Sequence, residues 1–250
     1  MRYFISNGRT FVLLGLMMIV FSCKKEVYYE GLKGELKGKA GLYENNTTIT
    51  DYSGVSVTLD GSSPGLQTTT NAKGEYEFTD VKTGIYDIVF SKEGYGTYKL
   101  VSYQFIGGNL PTFVYPVSLA KIPVFSITSL KVDTGRYNPY SYFVNVTGKV
   151  SVTASSNLRI YLSDRPDVSY TNYQATDYTF CNSAGEISYN PYNLITKYPK
   201  GKQLYIILYP SPYYFSSYID LSTGNPIYTV NTQKGSAIIS FTIPNTLSYL

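Results

Sequence analysis

Short runs in which hydrophobic and polar residues alternate make up most of this chain. In Val55–Leu59 every second residue is apolar and its neighbours are polar, and in Ile85–Phe90 the large residues Tyr86, Ile88 and Phe90 recur at every second position. Because successive side chains of a strand point to opposite faces, each run predicts a strand with one buried face. No window shows a convincing helical period, so the chain is predicted to be all-β.

The predicted strands fall into two series on either side of Lys121-Ile122-Pro123, where the proline favours a linker. In the first series, Gly74 is predicted to take a positive φ in the turn Asn71–Gly74. The strands of the first series are Val55–Leu59, Gln67–Thr70, Glu75–Thr79, Ile85–Phe90, Tyr98–Phe105 and Phe113–Leu119. Those of the second are Phe125–Val132, Tyr142–Val152, Leu158–Ser163, Ile187–Tyr189, Gln203–Tyr209, Ile227–Val230 and Ala237–Ile243.

The N-terminal segment has a different pattern, an apolar run over Phe11–Phe21 that ends at Ser22 and Cys23. Eleven residues rise only about 16 Å as a helix, too little to cross a hydrocarbon core of roughly 30 Å. With Arg2 and Arg9 before it, the run predicts a secretory signal peptide over residues 1–22.

The small residue directly before Cys23 resembles the cleavage site of bacterial lipoproteins. That resemblance implies that the Cys23 thiol carries a diacylglycerol, that its new amino group is acylated, and that the membrane is a partner. Residues 23–31 are then a lipidated tether, with the glycine- and lysine-rich Gly31–Gly34 at its end. The outer membrane is the expected location. Lys24-Lys25-Glu26 departs from the commoner acidic export signals, so the periplasmic and surface faces both stay open.

Four motifs of the first series together resemble the carboxypeptidase regulatory-like domain. They are Gly54-Val55-Ser56-Val57, Thr68–Phe78, Gly84-Ile85-Tyr86-Asp87-Ile88 and Glu93-Gly94-Tyr95. The resemblance implies a seven-stranded, prealbumin-like β-sandwich over residues 32–121 that is non-catalytic in its family. The second series, residues 124–250, resembles an immunoglobulin or fibronectin type III sandwich in architecture alone, because the chain has no tryptophan to complete a Cys…Trp…Cys framework.

Composition narrows the possible functions. Removing residues 1–22 removes Arg2 and Arg9 and lowers the formal charge from +4 to +2, which leaves no electrostatic signal for nucleic acid binding. The chain contains no histidine, which excludes Ser-His-Asp and Cys-His catalysis and histidine-bearing zinc sites. Once Cys23 is lipidated, Cys181 has no cysteine partner within the chain and is predicted to be a buried structural thiol.

Two short motifs were considered as catalytic or metal sites. Ser118-Leu119-Ala120-Lys121 matches S-x-x-K, but that chemistry needs both side chains at the start of a helix, and a strand points them to opposite faces. Asp164-Arg165-Pro166-Asp167 could pair two carboxylates, but it is predicted to be a turn whose aspartates bond local amides. No catalytic residue, metal site or cofactor is therefore predicted.

Tyrosine clusters are the one feature with ligand potential. They are Tyr137-Asn138-Pro139-Tyr140, Tyr189-Asn190-Pro191-Tyr192 and the run Tyr209–Phe215, and all fall in expected loops of the second sandwich. Tyr213, Tyr214 and Phe215 are the candidate ligand contacts, because Pro210 and Pro212 stiffen their loop. The alternative is that the rings cover the open ends of a sandwich without tryptophan.

The sequence therefore predicts a non-catalytic envelope lipoprotein made of two tandem β-sandwiches, which binds or scaffolds a glycan or a protein partner. An adhesin or pilus-like structural subunit, assembled through an exposed strand edge, is the alternative. A hydrolase that uses carboxylates alone is the third possibility, although no spacing of acidic residues supports it. The identity of the ligand, the oligomeric state and the role of the second domain are left open.

Overall fold

Alternation of buried and exposed residues produces the strands of the first half of the protein. The computed structural model describes residues 31–45, 47–138, 141–213 and 217–245. Val55, Val57 and Leu59 are fully buried, and so are Ile88 and Phe90, as the sequence predicts. The strands are β1 (Lys33–Tyr43), β2 (Ser56–Asp60), β3 (Leu66–Thr69), β4 (Glu75–Lys82), β5 (Gly84–Ser91), β6 (Tyr98–Phe105), β7 (Thr112–Phe113) and β8 (Val117–Ala120).

These strands form two sheets that enclose one core. One sheet has the order β4-β1-β7, with β8 also paired to β1, and the other has the order β3-β2-β5-β6. The pairs β1–β7 and β1–β8 are parallel, and the pair β1–β4 is antiparallel. Leu36, Phe78 and Phe90 pack together between the sheets. The first half is therefore a β-sandwich, while its assignment to the carboxypeptidase regulatory-like family stays a prediction.

Strand β1 was not predicted from the sequence, and it corrects the expectation that Gly31–Gly34 is tether, because Lys33 already belongs to the strand. Packing requires a glycine within this strand. A Cβ on Gly38 would lie 2.4 Å from the hydroxyl oxygen of Tyr76, its register partner on β4. The strand therefore needs a residue without a side chain where the Tyr76 ring crosses it.

The second half contains nine strands and one short helix among the described residues. The strands are β9 (Ile127–Asn138), β10 (Ser141–Val150), β11 (Ser156–Ser163), β12 (Ala175–Cys181), β13 (Glu186–Tyr189), β14 (Gln203–Pro210), β15 (Ser217–Ile219), β16 (Pro226–Tyr228) and β17 (Ile239–Thr242), and the helix is α1 (Tyr192–Ile195). Strands β12 and β15 and helix α1 were not predicted.

Seven of these strands form one antiparallel sheet in the order β17-β14-β11-β12-β13-β10-β9. The sheet curls until its two edge strands, β9 and β17, contact each other. The main core lies on its inner face and includes Val146, Ile160, Ile206 and Cys181. The buried structural thiol predicted at Cys181 is thereby confirmed. The described residues form an all-β, sandwich-like fold, as predicted.

A second apolar cluster lies on the outer face of the same sheet. It contains Tyr161, Tyr173 and Tyr209 together with Val168, Ile207 and Val230. The ring centroids of Tyr161 and Tyr173 are 4.9 Å apart, and those of Tyr161 and Tyr209 are 5.8 Å apart. Tyr161, Tyr173 and Tyr209 therefore fill a core on this face of the sheet, whereas the alternative to a ligand role places tyrosines at the open ends of the sandwich.

Residues 1–30, which hold the predicted signal peptide and all of the predicted tether except Gly31, lie outside the described residues. Within the described ranges, the structure contains no helix with the length and apolarity needed to cross a bilayer.

Candidate functional site

Of the three residues predicted to contact a ligand, the structure describes one. Tyr213 follows β14, and 66% of its surface is exposed. Tyr214 and Phe215 lie outside the described residues. Tyr213 is therefore placed as predicted, at the surface, and the role proposed for it stays a prediction.

Tyr213 lines a groove between the two halves of the protein, which we call the aromatic groove. Its volume is about 430 Å³, and it is lined by Tyr43, Asn45, Ser155, Asn157, Phe180 and Tyr213. The first two of these residues come from the end of β1 and the turn after it, and the other four come from the second half. A ligand in this groove would contact both sandwiches.

The strand pairing of the second sheet fixes one wall of the groove. Phe180 on β12 and Asn157 on β11 are register partners in an antiparallel pair, so their side chains leave the sheet on the same face. Phe180 is 62% exposed, and Tyr178, two residues earlier on the same face, is 55% exposed. The wall therefore presents an aromatic ring beside a side-chain amide.

The first sandwich supplies the opposite wall through the end of β1. The Lys121 amide donates a hydrogen bond to the Tyr43 carbonyl at 2.9 Å. Next to Tyr43, the Glu44 carboxylate accepts hydrogen bonds from the Tyr95 hydroxyl and from the Lys121 ammonium, the latter at 3.0 Å. These donors, Tyr95 first, hold the pKa of Glu44 below its ordinary value. Burial, and after it the hydrogen bond to the Glu44 carboxylate, raise the pKa of Tyr95 to about 12. The wall is thus tied to the linker between the halves.

No Asp, Glu, Lys or Arg is among the six residues that line the aromatic groove. The nearest cation along β11 on the same face is Arg159, which is only 5% exposed. Its guanidinium lies 3.7 Å from the ring centroid of Tyr228, so it stacks within the outer cluster. The groove therefore offers aromatic faces and uncharged hydrogen-bonding groups to a ligand.

A second groove begins on the other side of Phe180 and differs in charge. It has a volume of about 530 Å³ and runs over the outer face of β9, β10 and β13. Lys131, Lys149 and Glu186 line it together with Phe180. Phe180, which the sequence analysis missed, is thus the residue that the two grooves share.

The other tyrosine clusters have structural roles where they are described. The Tyr189 hydroxyl donates a hydrogen bond to the Asp177 carboxylate at 2.5 Å, which with burial raises the pKa of Tyr189. Tyr209 is buried in the outer cluster. The side chains of Tyr137 and Tyr140 lie outside the described residues.

The residues of the two motifs that could suggest a catalytic site lie in a strand, a turn and surface ion pairs. Ser118 lies within β8, and Lys121 just after it binds Glu44. Asp164–Asp167 is a turn, as predicted, and the Asp164 carboxylate binds the Lys202 ammonium at 3.0 Å. Among the described residues, no three of the side chains that commonly ligate metals form a cluster.

Comparisons with known proteins give only remote similarities. No protein family and no curated protein matches the sequence. Among solved structures, a cohesin–X-dockerin complex from Acetivibrio cellulolyticus is 17% identical with a TM-score of 0.30, over 34% of this chain and 56% of that chain. The chain therefore spans little more than half of that relative.

Two further solved structures are covered along their whole length. A candidate carbohydrate-binding protein from Bacteroides uniformis is 12% identical with a TM-score of 0.31, over 85% of this chain and 100% of that chain. A DUF3823 family protein from Parabacteroides merdae is 14% identical with a TM-score of 0.30, over 85% and 100%. Similarity this remote carries no functional information.

Proposed function

We propose that this protein is a non-catalytic binding lipoprotein of the bacterial outer membrane, anchored through Cys23, and that its aromatic groove takes an uncharged carbohydrate. The observation that carries the proposal is the lining of the groove, which combines three aromatic rings with three uncharged polar side chains and contains no Asp, Glu, Lys or Arg. A groove of this kind suits a ligand that is apolar on its faces and polar at its edges.

The chemistry of a neutral sugar matches this lining. The C–H faces of a pyranose are apolar and can stack on the exposed rings of Phe180 and Tyr213. Its hydroxyl groups both donate and accept hydrogen bonds, as the amides of Asn45 and Asn157 also do. A charged ligand would find no counter-charge among the lining residues, and its desolvation would be uncompensated.

Binding measurements on the mature chain test the groove. Calorimetric titration against a panel of neutral polysaccharides should give a signal that Phe180→Ala and Tyr213→Ala each weaken by about 1–3 kcal/mol. Tyr115→Ala is the matched control, because Tyr115 is 89% exposed on the first sandwich and does not line the groove. An equal loss of affinity in all three variants would overturn the carbohydrate assignment. Binding only to charged glycans or to protein would also overturn it.

Metabolic labelling tests the anchor separately. A fatty-acid analogue should label the wild-type protein and leave Cys23→Ser unlabelled. Equal labelling of both would remove the lipoprotein assignment, whatever the groove binds.

A further inference from the structure

One end of the first sandwich exposes a group of large apolar side chains. Leu32, Ile85, Ile106 and Leu110 are between 42% and 82% exposed. We call this group the tether-side end, because it surrounds the point at which the described chain begins. Isolated exposed apolar residues are normal on a protein surface, but a group of four in one place marks an interaction site.

Hydrogen bonds from Thr83 hold two of these residues together. The Thr83 amide donates to the carbonyl of Leu32 at 2.9 Å, and its hydroxyl donates to that of Ile106 at 2.6 Å. Ile85 follows Thr83 by two residues at the start of β5. Leu110 lies beside Lys33 in a shallow surface pocket. The apolar side chains therefore belong to one patch.

The length of the preceding chain limits how far this patch can lie from a lipid anchor. Between Cys23 and Gly31 there are seven residues, 24–30. At about 3.5 Å per residue, eight steps of fully extended chain span at most about 28 Å. A protein anchored at Cys23 therefore keeps the tether-side end close to the lipid headgroups at all times.

Basic side chains flank the patch. Lys33 on β1 and Lys82 on β4 are register partners, so their side chains leave the sheet on the same face at this end. Like charges in this position cost stability unless anions neutralise them. Asp80 lies at the same end, while the Glu35 carboxylate is bound by Lys37 at 2.8 Å. Anionic headgroups would complement the two lysines.

We infer that the tether-side end is a membrane-contact surface, whose apolar side chains enter the headgroup region of an anionic bilayer while Lys33 and Lys82 bind its phosphates. The inference rests on the proposed lipid anchor for its geometry. Such a contact adds buried apolar area and electrostatic attraction to acyl-chain insertion. It also fixes the orientation of the protein, because β1 runs from this end to the aromatic groove.

Depth-sensitive fluorescence on tethered protein tests the contact. A chain that starts at Lys24 with a polyhistidine tag retains the compact unit Gly31–Leu250. It can be held on phosphatidylethanolamine–phosphatidylglycerol vesicles by a nickel-chelating lipid. An environment-sensitive dye is attached at Ile106→Cys or Leu110→Cys. Native Cys181 should stay unlabelled, because it is fully buried.

The matched control is Val124→Cys, which is also strongly exposed but lies beyond the opposite end of β1. The fluorescence emission of the dye at position 106 or 110 should shift to the blue and be quenched by spin-labelled lipids. The emission of the dye at position 124 should show neither change. Equal quenching at all three sites, or quenching at 124 alone, would overturn the inference.

Charge substitutions give a second readout in the same assay without the nickel lipid. Lys33→Gln and Lys82→Gln should each weaken vesicle binding by about fivefold, since a lysine near an anionic surface contributes about 1 kcal/mol. Lys200→Gln, on the second half, should have no effect, and an equal effect there would contradict the inference. Acylation plays no part in this assay, so its outcome is separate from that of the fatty-acid labelling.

Discussion

At the scale of single residues, glycines decide where the first sandwich can turn. Gly74 has a φ of +76°, and a Cβ there would lie 2.4 Å from the carbonyl oxygen of Ala40. The Asn71 side chain accepts hydrogen bonds from the Lys73 amide at 2.9 Å and from the Glu75 amide at 3.0 Å. The sequence predicted the turn and the positive φ of Gly74, since Asn and Gly at these spacings are typical of turns. It could not predict the close approach of Ala40, which depends on β1.

We expect Gly74→Ala to destabilise the protein more than Gly94→Ala. Both glycines have a φ of +76°, but nothing lies within 4 Å of a Cβ on Gly94. Gly94→Ala should cost about 1 kcal/mol from backbone strain alone, and Gly74→Ala should add the cost of displacing Ala40. Chemical denaturation of both variants measures the difference. Equal losses would show that β1 does not pack against this turn.

Glu44 should make stability depend on acid pH. The pKa of Glu44 is lower in the folded state than its ordinary value of 4.5. The contribution of Glu44 to the unfolding free energy is therefore complete above pH 4.5 and is lost as the pH falls through the folded-state pKa. Wild-type protein should therefore lose more unfolding free energy than Glu44→Gln between about pH 7 and about pH 3. Glu93→Gln, at an exposed glutamate outside this hydrogen-bonded group, should follow the wild type. A Glu44→Gln variant that loses as much as the wild type would contradict the assignment.

At the scale of elements, the sequence predicted strands whose large residues point inward and missed strands that break this rule. Strand β1 has glycines where its partner's ring needs space. Strand β12 points Thr179 and Cys181 inward and Tyr178 and Phe180 outward. The large aromatic residues are then on the exposed face and the small residues on the buried face, so alternation does not identify the buried side. The aromatic groove was hard to foresee for the same reason, since Phe180 looks like a core residue.

The outward position of the Phe180 ring on β12 predicts that its removal costs little stability. Phe180→Ala should change the unfolding free energy by no more than about 0.5 kcal/mol, because the ring is mostly exposed. Ile160→Ala on the neighbouring strand β11 should cost about 2–5 kcal/mol, because Ile160 is fully buried in the main core. Thermal or chemical unfolding of the two variants checks this. A large loss for Phe180→Ala would mean that β12 is turned the other way.

At the scale of the whole molecule, the linker Lys121–Pro123 is held from both sides. The Ile122 amide donates to the carbonyl of Gly94 in the first half, at 2.9 Å. The Asn231 side chain of the second half donates to the carbonyl of Pro123 at 2.6 Å. Across the halves, the Lys99 ammonium lies 5.8 Å from the ring centroid of Tyr218. The sequence located the linker but could not predict these contacts, because the residues that they join lie far apart along the chain.

Limited proteolysis should cut first near Lys121–Pro123, since few contacts are expected to cross between independently packed sandwiches. The hydrogen bond to Pro123 gives this prediction a sharper form. Asn231→Ala should speed cleavage after Lys121, because it removes the hydrogen bond by which the second half holds the linker. Lys234→Ala, three residues away, should leave the rate unchanged. Absence of any cut in this region would contradict the division into two sandwiches.

The position of β1 has a mechanical consequence. Its first residue, Lys33, is at the tether-side end and its last, Tyr43, lines the aromatic groove. A ligand that pulls on the groove while the anchor holds would stretch the protein along this strand. The ladder bonds from β4, β7 and β8 run across β1, so tension must shear many of them at once instead of opening them in turn. Force spectroscopy with handles at the N-terminus and at the groove should therefore show high rupture forces.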